Sequence, residues 1–344
     1  MGLKLLHSAD WHLDSPFRGF DRERGELLRR ESLELPGKIA DICRREGCDL
    51  LLLAGDIFDG RPTRESLDAL KNALEEAAVP AFLTPGNHDY GTFWQTERWP
   101  GNLHIFSGDW ESVLLSDLDC RVWGAGYTRM DCPGLLEGFS AQGPEKYQIA
   151  LVHGDAVTPG SPYCPVTAAQ ARQSNLKYLA LGHVHQAGST RAGDTLCGWP
   201  GCPMGRGWDE TGQKGVYIVN VADRAEITFR AVPGIRFYKM EIPAEELEDR
   251  LPAGQTRDFY RVTLTGEGEG EISLPGIPNL WLNDQRSCPG DLWALAGEDT
   301  LEGVYFRMLR SQAEAGDTAA ALAARISRDL LMGKIGRASC RERV

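Results

Sequence analysis

Five short apolar runs, each followed closely by polar residues, constrain the fold of this 344-residue chain most strongly. The runs lie at residues 3–9, 49–54, 81–84, 148–152 and 178–181. Runs this short and this apolar are typical of strands that are buried on both faces of a sheet. Leucine and isoleucine recur at helical spacing between the first three runs. Strands that alternate with helices predict a layered α/β core.

The polar residues after these runs carry the groups that divalent cations prefer. Open α/β sheets build their sites at the carboxyl ends of strands, so these residues are expected to meet at one edge. The motifs are Asp10-Trp11-His12, Gly55-Asp56, Gly86-Asn87-His88-Asp89, His153-Gly154 and Gly182-His183-Val184-His185. Singly, each motif is weak, because an isolated D-x-H is usually a capped turn and an isolated H-x-H a surface pair. Together they supply the carboxylate, imidazole and amide ligands of a binuclear phosphoesterase site.

Composition limits the functions that fit. The net charge of −12 does not attract nucleic acid through the overall field, so DNA binding needs local basic patches, bound cations or a partner. No apolar run approaches the roughly 20 residues of a membrane span. The nine cysteines form no C-x-x-C pair and are interpreted as reduced thiols. Without a signal-peptide pattern at the N-terminus, we expect a cytoplasmic protein.

A change of pattern divides the chain. Residues 215–220 and 225–231 alternate like antiparallel strands rather than continuing the strand–helix alternation. We predict a domain with the metal site at 1–232 and a smaller α+β domain at 233–334. The final residues, 335–344, are basic and unpatterned, and one reading frame of a common sequencing adapter encodes this peptide. We interpret them as an artefactual tail, with a disordered basic tail as the alternative.

The order of the motifs resembles the calcineurin-like metallophosphoesterase superfamily. The resemblance implies an α/β sandwich with its ligands at strand ends, and Asp56 as the carboxylate that bridges two ions. The first ion would be held by Asp10, His12, Asp56 and His185, and the second by Asp56, Asn87, His153 and His183. His88 is implied to protonate the leaving oxygen or stabilise the transition state, with packing beside Asn87 as the alternative. A metal-activated water would attack phosphorus in line.

Sequence outside the ligands resembles the SbcD-type DNA repair exonuclease branch, particularly its YhaO-like members. The matching segments lie at 7–17, 55–59, 199–216 and 299–308. The resemblance implies a nuclease subunit that uses Mn²⁺, with Mg²⁺, Fe²⁺ and Zn²⁺ as alternatives. It also implies a C-terminal cap domain that guides DNA and contacts an SbcC-like coiled-coil ATPase, and it leaves a homodimer open.

Further residues near the motifs are candidates for supporting roles. Some members of the branch carry histidine where this chain has Asp59, which we interpret as a helix-entry cap or an anchor behind the ligands. Asp89 is a second candidate anchor. Arg18, Arg61 and Arg206 are candidate phosphate contacts, and Trp208 is a candidate exposed platform for unpaired bases. The alternative for each arginine is a solvated loop position.

Two other functions remain open from the sequence. A nucleotide or small-molecule phosphodiesterase or phosphatase would share the metal ligands but would not require the C-terminal domain. A non-catalytic scaffold on the same fold would be expected to have lost ligands, and none of the predicted ligands is missing.

Overall fold

The chain divides into two units, Met1–Phe237 and Tyr238–Val344. The structure, a computed structural model, describes residues 2–252, 256–268, 272, 276–286 and 292–331. The sequence-based boundary after residue 232 falls within the last residues of the first unit. The predicted artefactual tail at 335–344 lies outside the described residues.

The strands of the first unit form two six-stranded sheets. In chain order they are β1 (Leu3–Ser8), β2 (Leu50–Leu53), β3 (Ala81–Leu83), β4 (Leu103–Ile105), β5 (Gly108–Leu115), β6 (Cys120–Gly126), β7 (Tyr147–Val152), β8 (Tyr178–Leu181), β9 (Gly188–Ala192), β10 (Thr195–Trp199), β11 (Gly215–Val221) and β12 (Ala225–Ala231). The first sheet has the order β12-β11-β1-β2-β3-β4, and the second has the order β5-β6-β7-β8-β10-β9. The strands from β1 to β4 are parallel, as are β6, β7 and β8.

Apolar side chains from both sheets share one core, so the sheets pack face to face. Leu5 and Leu52 from the first sheet join Ile149, Leu151 and Tyr178 from the second, and all five are fully buried. Burying an aliphatic side chain of this size contributes about 1.5–3 kcal/mol. This shared core fixes the two sheets relative to each other, and with them the strand ends that carry the polar motifs.

Three of the four α-helices described in the first unit begin at a residue whose side chain caps the helix. The four helices are α1 (Arg22–Glu46), α2 (Arg64–Ala77), α3 (Phe93–Thr96) and α4 (Ala168–Gln173), with a short 3-10 helix at Ser116–Leu118. Asp21 caps α1 by accepting a hydrogen bond from the amide of Arg24, and Thr63 caps α2 through the amide of Ser66. Together with the two sheets, these helices confirm the predicted layered α/β sandwich.

The second unit is a smaller α+β unit, also as predicted. Its strands β13 (Phe237–Pro243), β14 (Phe259–Thr265) and β15 (Leu280–Asp284) form a sheet in that order. Its helices are α5 (Leu247–Arg250), α6 (Leu301–Glu314) and α7 (Thr318–Leu331), with 3-10 helices at Ala244–Glu246 and Ala294–Gly297. Within the described parts of both units, no helix is both long and apolar enough to span a membrane.

Candidate metal centre

Every predicted metal ligand lies just beyond the carboxyl end of a strand. The ligands are Asp10 and His12 after β1, Asp56 after β2, Asn87 after β3, His153 after β7, and His183 and His185 after β8. Three of these strands belong to the first sheet and two to the second. The candidate ligands therefore lie together at the carboxyl ends of strands from both sheets.

Several ligands have left-handed backbone conformations. The φ angle is +55° at Asp10, +46° at His12, +50° at Asp56 and +80° at His183. Non-glycine residues in this region cost about 1–3 kcal/mol each, and such residues cluster at functional sites. The amides of Asp10 and His12 donate to the carbonyls of Gly55 and Asp56, both at 3.0 Å. These bonds join the turn after β1 to the turn after β2 and hold the unusual conformations.

Asp56 lies at the centre of the cluster. Its Oδ2 is 3.3 Å from Nε2 of His153 and 3.7 Å from Nε2 of His12. The Nε2 atoms of His12 and His185 lie 3.2 Å apart, so both rings point into the same space. Oδ1 of Asp10 lies 3.9 Å from Nδ1 of His153. This places Asp56 between two groups of histidines, which is the position expected of a bridging carboxylate.

Asn87 brings the remaining histidine into the cluster. Its Oδ1 lies 3.0 Å from Nε2 of His153 and 3.3 Å from Nδ1 of His183. An amide oxygen between two imidazole nitrogens is suited to ligate the same cation as those nitrogens. Short distances between ligand atoms, from 3.0 to 3.9 Å, therefore connect all seven predicted ligands.

The donor set fits divalent cations. Three overlapping groups have ligand atoms within 4.8 Å of one another, namely Asp10–His12–His185, His12–Asp56–His88 and Asp10–Asp56–His153. Oδ2 of Asp10 is buried and has no hydrogen-bond partner among the described residues. An unpaired buried carboxylate oxygen is costly, and a bound cation offsets that cost. Which metal binds stays a prediction.

The electrostatics of the cluster also favour cations. Burial lowers the pKa of His153, but the nearby carboxylates of Asp56 and Asp10 outweigh burial and raise it to about 9. Nδ1 of His153 lies 3.0 Å from the carbonyl oxygen of Ala54 and donates to it, which directs Nε2 toward the other ligands. The field of the two carboxylates that holds a proton on this ring also attracts a divalent ion.

His88 and Asp59 form a hydrogen-bonded pair beside the ligands. Nδ1 of His88 lies 3.0 Å from Oδ1 of Asp59, and Oδ2 of Asp59 accepts from the hydroxyl of Ser15 at 3.0 Å. The bond to Asp59 raises the pKa of His88. Asp59 does not cap α2, since Thr63 does, so the helix-cap interpretation is wrong and the anchor interpretation describes its contacts. The side chain of His88 is 45% exposed, which does not suit the alternative of a packed turn residue.

Asp89 joins two of the ligand loops. Its Oδ1 accepts from the amide of Gly86 at 2.7 Å, and its Oδ2 accepts from the amides of Ile57 at 2.7 Å and Phe58 at 3.2 Å. Burial raises the pKa of Asp89 to about 7. Asp89 thus ties the loop after β3 to the loop after β2, as the anchor prediction requires.

The predicted substrate contacts differ in their surroundings. Arg18 and Arg61 are exposed, and within the described part of the chain neither forms a hydrogen bond or ion pair. Trp208 is only partly exposed, because its ring packs edge-on against Phe237 at 5.3 Å and lies 6.3 Å from Phe20. This differs from the exposed platform predicted from the sequence, since packing of the loop occupies the ring.

Glu210 is a site residue that the sequence reasoning missed. Its Oε1 lies 2.7 Å from Nδ1 of His185 and accepts from Nη2 of Arg206, also at 2.7 Å. Arg206, predicted to contact phosphate, is therefore engaged with a carboxylate. The only signal in the sequence is the likeness of the segment 199–216 as a whole, which does not single out Glu210.

Comparison with known proteins identifies the family of the first unit. Residues 3–187 match the calcineurin-like phosphoesterase family. The chain belongs to this family. The predicted family is therefore confirmed, and the matched residues span the strand ends from β1 to β8 that hold the candidate ligands.

Individual relatives cover less of the chain. It is 32% identical over 241 residues to the uncharacterized metallophosphoesterase YhaO of Bacillus subtilis, an alignment that spans 64% of this chain and 58% of that protein. It is 34% identical over 93 residues to the SbcD component of the nuclease SbcCD of Rhodobacter capsulatus, across 25% of this chain and 22% of that protein. The crystal structure of a dimetal phosphatase from Danio rerio aligns with 67% of this chain and 97% of its own, at 13% identity and a TM-score of 0.44.

Proposed function

We propose that this chain is a two-metal phosphodiesterase that acts on DNA. The observation that carries the hydrolase part is the convergence of seven candidate metal-ligand side chains from five strand ends, with Asp56 at their centre. The likeness to the SbcD component of the nuclease SbcCD over 93 residues supports DNA as the substrate. The chain spans 58% of the length of YhaO, so the activity of a whole relative is a proposal here.

The residues of the site have separate tasks in this proposal. Asp10, His12, Asn87 and the three remaining histidine ligands would hold the two ions, with Asp56 shared between them. Divalent ions supply an activated water nucleophile and neutralise the phosphate oxygens. The hydrogen bond to Asp59 raises the pKa of His88, which favours the protonated ring, and in this proposal His88 would donate a proton to the leaving oxygen. No covalent intermediate on a side chain is required.

DNA binding has to overcome the acidic charge of the chain. With a net charge of −12, affinity for a phosphate backbone has to come from local cations. Arg18 and Arg61 are exposed and are proposed as phosphate contacts, whereas Arg206 is bound to Glu210 and is not. The SbcC-like ATPase partner and the homodimer stay predictions from the sequence.

One assay tests separately whether the protein hydrolyses phosphodiesters with metal ions and whether DNA is its substrate. End-labelled duplex DNA, single-stranded DNA and bis-p-nitrophenyl phosphate are incubated with Mn²⁺, Mg²⁺ or EDTA. Wild type is compared with Asp56→Ala and with Asp68→Ala, which removes an exposed carboxylate on α2. We expect Mn²⁺-dependent cleavage of DNA and of the ester, lost only in Asp56→Ala. Ester hydrolysis with both DNA forms intact would reject DNA and favour a nucleotide or small-molecule phosphodiesterase. Activity in EDTA would reject the metal mechanism.

A further inference from the structure

The two ring nitrogens of His185 face different surroundings. Nδ1 lies 2.7 Å from Oε1 of Glu210 and 3.1 Å from Nη2 of Arg206. Nε2 lies 3.2 Å from Nε2 of His12, on the side of the candidate metal ligands. One nitrogen therefore contacts two groups of opposite charge, while the other belongs to the ligand cluster.

The two charged groups favour different tautomers of His185. A carboxylate only accepts a hydrogen from Nδ1, whereas a guanidinium only donates one to it. When Nδ1 carries the hydrogen, Nε2 has a free lone pair and ligates a cation. When Nδ1 accepts a hydrogen from Arg206, the ring hydrogen is on Nε2, which then cannot act as a ligand. The neighbours of Nδ1 thus decide whether His185 is able to bind metal.

Glu210 is firmly held as the acceptor. The backbone amide of Arg206 donates to its Oε2 at 2.8 Å, and Nη2 and Nε of the same arginine donate to Oε1 and Oε2 at 2.7 and 3.3 Å. A guanidinium that binds both oxygens of a carboxylate fixes its position as well as its charge. Glu210 is therefore a preorganised acceptor, held on both oxygens by Arg206.

We propose that Glu210 is a positioning residue that keeps His185 in the tautomer with the hydrogen on Nδ1. The role of Arg206 depends on whether Glu210 is present. In the intact protein Arg206 holds Glu210 in position. Once Glu210 is removed, Arg206 donates to Nδ1 of His185 and favours the tautomer with the hydrogen on Nε2. Removing Glu210 alone therefore weakens metal binding more than removing Glu210 and Arg206 together. This inference rests on the proposed metal-dependent function.

Metal titration measures this without relying on activity. Metal-free wild type, Glu210→Ala, Glu210→Gln and the Arg206→Ala/Glu210→Ala double variant are titrated with Mn²⁺ in a calorimeter. Loss of the partner of a metal-bound histidine typically lowers metal affinity about 10–100-fold, and we expect a loss of that size for one ion in Glu210→Ala. The double variant recovers part of the loss. Glu210→Gln is also milder, because its amide oxygen still accepts from Nδ1.

A matched control tests whether any broken ion pair has the same effect. Arg121 binds both oxygens of Glu145 at 2.7 and 3.0 Å, away from the ligands. Glu145→Ala should leave the Mn²⁺ affinity at the wild-type value. Wild-type affinity in Glu210→Ala, or a double variant weaker than Glu210→Ala, overturns the positioning role. A wild type that binds no Mn²⁺ overturns the proposed function instead.

The tautomer itself is observable in the unaltered protein. Long-range nitrogen–proton NMR spectra of wild type with labelled histidines report which ring nitrogen carries the hydrogen, and His185 is assigned by comparison with His185→Gln. We expect the hydrogen on Nδ1 in the metal-free protein. A hydrogen on Nε2 contradicts the proposal, and this result does not depend on whether Glu210→Ala folds.

Discussion

The close approach of Gly86 to Asp56 leads to a specific prediction. A Cβ atom at position 86 would lie 2.2 Å from Oδ1 of Asp56 and 2.8 Å from its backbone nitrogen, where contacts under 3.0 Å are essentially never seen. The buried cluster is tightly packed and has little room to relax. In Gly86→Ala, the Asp56 carboxylate or the turn at 86 therefore has to move by about 1 Å. A misplacement of about 1 Å costs on the order of 100-fold in rate.

The assay is hydrolysis of bis-p-nitrophenyl phosphate at saturating Mn²⁺. We expect kcat/KM of Gly86→Ala to fall about 100-fold although no ligand has been replaced. Gly101→Ala is the control, because an added Cβ at 101 meets nothing within 4 Å. Equal activity of Gly86→Ala and Gly101→Ala would show that hydrolysis does not depend on the position of the Asp56 carboxylate.

Three further predictions concern turnover, stability and metal binding. His88→Ala should lower kcat by about 10²–10⁴ while Mn²⁺ affinity measured by calorimetry stays near wild type, and a large loss of affinity would make His88 a ligand instead. Leu151→Ala, at a fully buried position between the sheets, should destabilise the first unit by about 2–5 kcal/mol in urea unfolding, and an unchanged midpoint would contradict the shared core. Mn²⁺ at 100 times its Kd should raise the free energy of unfolding of the metal-free protein by about 2.7 kcal/mol. A Tm that does not change when Mn²⁺ or EDTA is added would contradict a metal site in the folded protein.

The strands that carry the candidate ligands were predictable because each is short and rich in apolar residues, although β1 also contains Lys4, His7 and Ser8 and β7 contains Gln148. The structure has strands at Leu3–Ser8, Leu50–Leu53 and Tyr178–Leu181, close to the predicted runs. A strand buried on both faces leaves a continuous apolar stretch, and the polar turn that follows marks its end. For this reason the polar motifs could be located in the sequence before their geometry was known, and the family resemblance then implied the seven candidate ligands within them.

The contacts around the ligands were less predictable, because they join residues that are distant in the chain. Glu210 reaches His185 through a loop whose path the sequence does not show. The surroundings of Arg206 and Trp208 differ from the predictions for the same reason. The sequence does not show whether a charged or aromatic residue in a loop faces solvent, a carboxylate or another ring. Asp59 was predictable as an anchor, but its partner His88 lies on a different strand end.

Whether Asp56 joins two metal ions in a hydrolytic site is tested by Mn²⁺-dependent hydrolysis of a phosphodiester by wild type and Asp56→Ala, with bound metal counted in the same samples. We expect two Mn²⁺ ions per wild-type chain, hydrolysis that EDTA abolishes and Mn²⁺ restores, and loss of both metal and activity in Asp56→Ala. Full activity in Asp56→Ala, or in wild type stripped of metal, would contradict this expectation.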